Sequence, residues 1–323
     1  MPRIAYRTLR LQPKTLQLIQ QANEIAAEYG RQGFSLTLRQ LYYRFVARDL
    51  IPNKQTEYKR LGSIINDARY AGLFDWGWIT DRTRNATGGD DGYTEGHPEE
   101  VIEPLVYGVT QWDGQSERVE VWVEKDALID VVQRAVRGLN ATSFSCRGYT
   151  SSSEVWGAAR RIEGYLRTDG VERVTVLHLG DHDPSGIDMT RDIGDRVREF
   201  VVGDGYPGRQ LRIKRIALNM DQIEQYNPPP NPAKDTDSRF AGYVAQYGDE
   251  SWELDALEPK VLVDLIRSEV RPLIEPGKWE ARKAITAHGK ATLQAVRDHY
   301  EEIIEWLDER GMLPEPIVEP DDD

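Results

Sequence analysis

The stretch V-T-V-L-H-L-G-D-H-D-P-S-G-I-D, residues 174 to 188, constrains this chain more than any other. An apolar, β-branched run that enters Gly180, Asp181 and Asp183 without a break has the pattern of a buried parallel strand ending at a ligand site. Pro184 suits the first turn of a following helix, and Ile187, Ile193 and Val197 continue at helical spacing. Two carboxylates at i and i+2 on a strand project to the same side, roughly 6 to 7 Å apart. At an effective dielectric near 20 their repulsion is about 2 to 3 kcal/mol, which a divalent cation offsets most simply. A plainer reading has Asp183 capping the helix in an acidic turn. A calcium loop fits poorly, because a strand rather than a helix precedes and position twelve is Asp192. An aspartyl-nucleophile phosphatase carries D-x-D on its first strand, whereas here at least two strands come earlier.

The earlier strands follow from the pattern. Arg118 to Val123 predicts a strand ending at Glu124, followed by a helix from Asp126 to Arg137. Thr142 to Cys146 predicts a second strand and Glu154 to Leu166 its helix; Val171 to Leu179 is the third strand and Leu211 to Leu218 the fourth. Strands alternating with helices imply a parallel sheet covered on both faces, with Glu124 and the D-x-D pair at one edge. Downstream, a Pro-rich loop (Asn227 to Pro232) and a short helix lead to Glu253 and Asp255 at alternating spacing, which either face that edge or lie solvated. Two helices, Pro259 to Ile274 and Trp279 to Asp308, and a disordered Asp-rich tail close the chain.

The N-terminal part has a different period. Helices are expected over Pro13 to Tyr29, from Thr37 as cap through Val46, and over Thr56 to Ala71. In the second, Leu38, Leu41, Tyr42, Phe45 and Val46 form the apolar stripe. At about 100° per residue Tyr43 falls roughly 130° from the centre of that stripe, near Arg39, and is expected to be exposed. Lys59, Arg60 and Arg69 are expected to face outward from the third helix. Gly72 to Arg84 has the aromatic and turn content of a short β-ribbon. Helix, turn, helix and ribbon together read as a winged helix, a fold that usually touches DNA.

Charge divides the same way. The net charge is -13 over 323 residues, but residues 1 to 85 hold 14 Lys and Arg against 7 Asp and Glu, leaving 27 against 47 for the remainder. A basic part can hold a polyanion while an acidic part handles metal. Cys146 is the only cysteine, which excludes an intrachain disulfide and a cysteine-based zinc site. With no membrane-length apolar run and no signal-peptide pattern, a cytoplasmic protein is expected, nucleoid-associated or phage-encoded. Asn85 to His97, rich in Gly, Asp and Thr, reads as linker, and Pro98 to Trp112 as an interrupted helix.

A strand ending in Glu and a later strand ending in D-x-D resembles the Toprim domain. V-E-K-D-A (123 to 127), R-G-Y-T-S (147 to 151), D-H-D-P-S-G-I-D (181 to 188) and L-R-Q-L-Y-Y (38 to 43) resemble, in order and spacing over about residues 35 to 220, the topoisomerase VI A subunit and the related meiotic double-strand-break transesterase. The resemblance implies an α/β chain with an N-terminal winged-helix (CAP-like) domain at 1–85, a linker at 86–117, a Rossmann-like Toprim parallel sheet at 118–275, and a C-terminal helix and acidic tail at 276–323. It implies Tyr43 as the residue forming a 5′-phosphotyrosyl bond with double-stranded DNA, Arg39 as its neighbour, and Glu124, Asp181 and Asp183 as Mg²⁺ ligands. It also implies a homodimer, in which one protomer's tyrosine works with the other's metal. Hard oxygen ligands without histidine suit Mg²⁺. Two departures stand out: Gln40 replaces an acidic residue, and no ATPase domain of the partner-subunit type is present. Either strand passage needs a separate ATPase subunit, or the chain is a stand-alone cleaving enzyme resembling the small, single-subunit relatives of the A subunit found in phages and bacteria. The alternatives are a hydrolytic Toprim nuclease, with Tyr43 structural, and a non-catalytic DNA-binding regulator.

Overall fold

The computed structural model describes residues 5, 7–79, 102–148, 150, 152–203, 205–233 and 235–314. The expected linker at Asn85 to His97 and the acidic tail beyond 314 lie outside the described residues. Two compact units emerge: Met1–Asn85 with Gly114–Ile274, and Ala86–Asp113 with Glu275–Asp323. No helix among the described residues is long and apolar enough to cross a membrane.

The first unit begins with α1 (Pro13–Arg31), α2 (Leu38–Ala47) and α3 (Gln55–Tyr70). Each contributes one apolar face to a common core, with Ile25, Leu41, Phe45, Leu61 and Ile65 fully or nearly fully buried. α2 starts where its sequence demands. Thr37 Oγ1 accepts the Gln40 N–H and Gln40 Oε1 accepts the Thr37 N–H, so a capping box satisfies two N-terminal donors. Gln40, the departure from the acidic pattern, therefore has a local structural role.

The expected β-ribbon does not form over 72–79. Asp75 Oδ1 accepts the Gly77 N–H and caps a 3₁₀ turn at Trp76–Trp78, leaving one parallel bridge from Ile79 to Leu36. Side-chain capping competes with strand pairing wherever an Asp precedes a tight turn. The ribbon's remaining residues, 80–84, lie outside the described residues.

The sheet of this unit has four parallel strands: β1 (Glu117–Val123), β2 (Thr142–Ser145), β3 (Arg173–Leu179) and β4 (Leu211–Ala217), in the order β2-β1-β3-β4. Between them run α4 (Ile129–Val136), α5 (Ser152–Leu166) and α6 (Pro184–Gly203). Every residue of β1 is buried, as a strand covered on both faces must be. Trp122, Val174 and Val176 pack with Val155, Ile162 and Ile193 of α5 and α6. Removing part of this layer should be costly: Ile162→Ala is expected to destabilise by about 2 to 5 kcal/mol in chemical denaturation, since Ile162 is fully buried.

The chain leaves β1 toward β2 on one side, and after β2 returns to add β3 on the other. The β1/β3 boundary is thus the topological switch point, where helices diverge and a crevice opens beyond the strand ends. After β4 come α7 (Met220–Tyr226), a two-stranded antiparallel pair of β5 (Asn231–Pro232) and β6 (Glu250–Ser251), the intervening α8 (Phe240–Tyr247), and α9 (Pro259–Val270).

In the second unit the residues 102–112 hold only a 3₁₀ turn at Pro104–Val106 instead of the expected interrupted helix, whose residues 98–101 lie outside the described residues. The final helix expected from Trp279 is two, α10 (Pro276–Asp298) and α11 (Tyr300–Asp308), broken at His299. Trp112 and Trp279 meet edge to face at 5.5 Å and anchor this unit.

Candidate active site at the sheet edge

β1 and β3 run in register to Val123 and Leu179, so the residues after them emerge together. Glu124 N–H donates to Leu179 O at 2.8 Å, and the Asp181 N–H donates to Glu124 Oε2 at 2.9 Å. Glu124 and the D-x-D segment, 57 residues apart, are thereby joined directly. Asp183 Oδ1 accepts the Gly186 N–H at 2.6 Å and the Ser185 hydroxyl at 2.9 Å, so Asp183 does cap α6 as the plainer reading expects. That use does not exclude a second role, because a carboxylate accepts several bonds.

The tight turn after Asp181 leaves no room for side chains. A Cβ on Gly186 would stand 2.3 Å from Asp181 O, and one on Gly180 2.8 Å from Glu124 Oε2. Gly186→Ala is expected to lower the unfolding temperature by several degrees, about 1 to 3 kcal/mol for overpacking, and to displace Asp181. Unchanged thermal unfolding would contradict this close approach.

Arg215, on β4, secures the same turn from behind. Its guanidinium donates to Gly180 O, Asp181 O, Gly186 O and Thr190 Oγ1 at 2.6 to 3.0 Å. Burial works against the Arg215 charge and holds its pKa below the usual value, with Glu124, Asp181 and Asp183 opposing. His178, wholly buried beside Thr190, is pushed down to about 3 by burial and by Arg215, and stays neutral.

Glu253 and Asp255, which the sequence leaves either at the site or solvated, face the site. Lys125 reaches between them: its ammonium lies 2.8 Å from Asp181 Oδ2, 2.9 Å from Glu253 Oε2 and 3.6 Å from Asp255 Oδ2. Asp181 Oδ1 accepts the Leu254 N–H at 2.8 Å, fixing the 253–255 segment against β3. Glu253 Oε1 pairs with Arg39 at 2.6 Å. An unbroken series of ion pairs therefore runs from Arg39 on α2 through Glu253 and Lys125 to Asp181.

Burial, then the Asp181 charge, pushes the Glu124 carboxyl up to about 7, and burial likewise raises Asp181. Among the described residues no group of three or more His, Cys, Asp or Glu side chains is already arranged to hold a metal ion. The donor chemistry nevertheless fits a hard cation: three carboxylates supply hard oxygens at one edge, and at Glu124 burial and the neighbouring Asp181 charge oppose ionisation in a way that a divalent ion relieves.

Tyr43 departs from expectation. It is 2% exposed rather than on the surface, while Tyr42, at 5%, is core as its stripe requires. The helical-wheel angle is right for the helix alone, but the face opposite the α2 stripe is covered by a distant part of the chain. Asn231 of β5 donates to the Tyr43 hydroxyl at 3.1 Å, and Arg44, buried on the same helix, binds Ala256 O and Glu258. Burial, with the nearby Glu253 charge, pushes the Tyr43 hydroxyl up to about 12, against the opposing influence of Asn231, Arg39 and Lys125.

The three expected DNA-facing cations do not share a face. Lys59 and Arg60 are exposed, Arg60 pairing with Glu57 at 2.6 Å. Arg69 is half-buried, donates to Ile79 O at 2.6 Å, and turns into a cleft of about 870 Å³. Arg39, Asn66, Glu124, Lys125 and Arg147 line the same cleft, which opens over the strand ends. Sequence reading missed Lys125 and Arg215 as site residues. A charged residue at the end of a buried parallel strand, as in R-I-K-R-I-A, was the available signal for Arg215.

No family model, no curated protein and no solved structure matches this chain, so its own residues carry the functional argument.

Proposed function

We propose that this chain is a Mg²⁺-dependent DNA-cleaving enzyme of the topoisomerase VI A type, with a winged-helix part carrying Tyr43 and a Toprim part carrying Glu124, Asp181 and Asp183. The observation that carries the reading is the joining of Glu124 to the D-x-D segment where β1 and β3 end together, which gathers the carboxylates at one sheet edge. The Tyr43 oxygen attacks a backbone phosphorus, the bond to the 3′-oxygen breaks, and a 5′-phosphotyrosyl ester forms. The tyrosyl proton passes to solvent water, and the leaving 3′-oxygen takes a proton from solvent to become a hydroxyl. A hydroxyl held near pKa 12 and covered by Asn231 is a poor nucleophile, so uncovering it must precede attack. Arg39, beside that hydroxyl, then favours the phenolate and the phosphate. Glu124, Asp181 and Asp183 would hold the metal, which when bound supplies charge stabilisation at the scissile phosphate and leaving oxygen. Double-stranded DNA is the substrate, the functional state a homodimer, and strand passage requires a separate ATPase subunit.

The decisive experiment incubates supercoiled DNA with the protein and Mg²⁺, stops the reaction with detergent, and looks for protein covalently attached to 5′ ends. Cleavage without attachment would replace transesterification with metal-activated hydrolysis. Binding without cleavage would leave a DNA-binding regulator. A further expected result concerns docking: replacing both Lys59 and Arg60 by alanine in the full chain should weaken DNA binding and reduce the salt slope by about 2, one unit for each lost phosphate contact. An unchanged slope would move the docking face elsewhere.

A further inference from the structure

The carboxylates around Lys125 outnumber what one metal ion needs. Asp181, Glu253 and Asp255 surround its ammonium at 2.8, 2.9 and 3.6 Å, while Glu124 accepts the Asp181 N–H and Asp183 caps α6. Asp255 is 1% exposed, and its Oδ1 has no hydrogen-bond partner. A buried carboxylate oxygen left unpaired costs free energy comparable to a lost charged hydrogen bond, so its retention calls for a cation nearby. Mg²⁺ and Mn²⁺ draw oxygens in to about 2.1 Å, closer than an ammonium can.

We propose that Asp181, Glu253 and Asp255 form a second divalent-cation subsite that the Lys125 ammonium fills, so that the protein takes a single divalent ion at Glu124, Asp181 and Asp183. The formal charges agree. Five carboxylates (Glu124, Asp181, Asp183, Glu253, Asp255) against three cations (Lys125, Arg39, Arg215) leave two negative charges, which one divalent ion balances. Without Lys125 the excess is three, and the Asp181 oxygen that it engaged becomes available to bridge two ions. Lys125 is thus a positioning residue that sets metal stoichiometry: its tethered charge orients Asp181 and couples it to Glu253 and Arg39. The inference rests on the proposed metal role of Glu124, Asp181 and Asp183, and the experiment separates the two.

Metal-free protein is titrated with Mn²⁺ alone, counting ions by calorimetry and reading pairs of adjacent ions by electron paramagnetic resonance. Wild type is expected to bind one ion per chain, Lys125→Met two with spin coupling between them, and Lys125→Met with Asp255→Asn one again. Asp255→Asn alone should still bind one ion, within about twofold of the wild-type affinity, about 0.4 kcal/mol. No ion in wild type with one in Lys125→Met would keep the subsite and remove the metal role of Glu124 and Asp183. Two ions in wild type would overturn the inference. So would a Lys125→Met protein with native circular dichroism that binds no more than wild type, or loss of the single ion in Asp255→Asn. The wild-type and Asp255→Asn counts decide the matter if Lys125→Met fails to fold.

Discussion

Tyr43→Phe is expected to abolish covalent attachment to DNA and to slow cleavage by about 10⁴-fold or more, the scale on which loss of a nucleophile acts in covalent catalysis. The change deletes one oxygen and leaves the ring in its core position, where it meets Tyr42 edge to face at 5.3 Å. The burial of Tyr43 sets the stability cost. Its hydroxyl accepts from Asn231 Nδ2, so Tyr43→Phe leaves that amide one partner short and should destabilise by about 1 kcal/mol, visible as a small fall in unfolding temperature. Asn231→Ala makes the complementary test: it uncovers the hydroxyl, and adduct formation should rise if covering by β5 restrains attack. Tyr42→Phe should remain active, because its hydroxyl serves Asn53 and Lys54 O rather than the cleft. Cleavage by Tyr43→Phe at the wild-type rate would transfer the chemistry to a metal-bound water.

Glu124→Gln and Asp183→Asn are each expected to reduce Mg²⁺-dependent cleavage by about 10²-fold or more while DNA binding, measured in chelator, stays within about twofold, since loss of a metal ligand removes charge stabilisation without touching the basic surface. Neither change should unfold the protein. Asn at 183 can still accept the Gly186 N–H and cap α6, and Gln at 124 can still accept from Asp181 N–H while ending a like-charge repulsion. The unfolding temperature of Glu124→Gln without metal should therefore equal or exceed that of wild type. Full cleavage by either variant with normal Mg²⁺ dependence would dismiss these carboxylates as ligands.

Glu253 shows how far the site depends on chain segments remote from its motifs. It pairs with both Arg39 and Lys125, so it holds the α2 face and the sheet edge in one electrostatic unit. Burial alone would raise its carboxyl, and the Lys125 and Arg39 charges more than reverse that, keeping it ionised below the usual carboxylate range. An exposed surface pair contributes little, whereas a partly buried, doubly paired carboxylate fixes geometry even where its net energy is small.

The strands, the helices between them and the meeting of Glu124 with the D-x-D segment were legible in the sequence, because apolar period and turn residues are local properties. A buried parallel strand has to read as a continuous apolar run, and parallel connection puts successive strand ends at one edge. The same local logic found the Thr37 cap and the Tyr42 core position. Local rules failed where a distant segment competed. The burial of Tyr43 was decided by Asn231 and the 253–258 segment, about 190 to 215 residues away, because a helical wheel registers only the face a helix offers and never what comes to cover it. The Lys125 placement was decided the same way: only the approach of Glu253 and Asp255 gives its ammonium three carboxylates to hold.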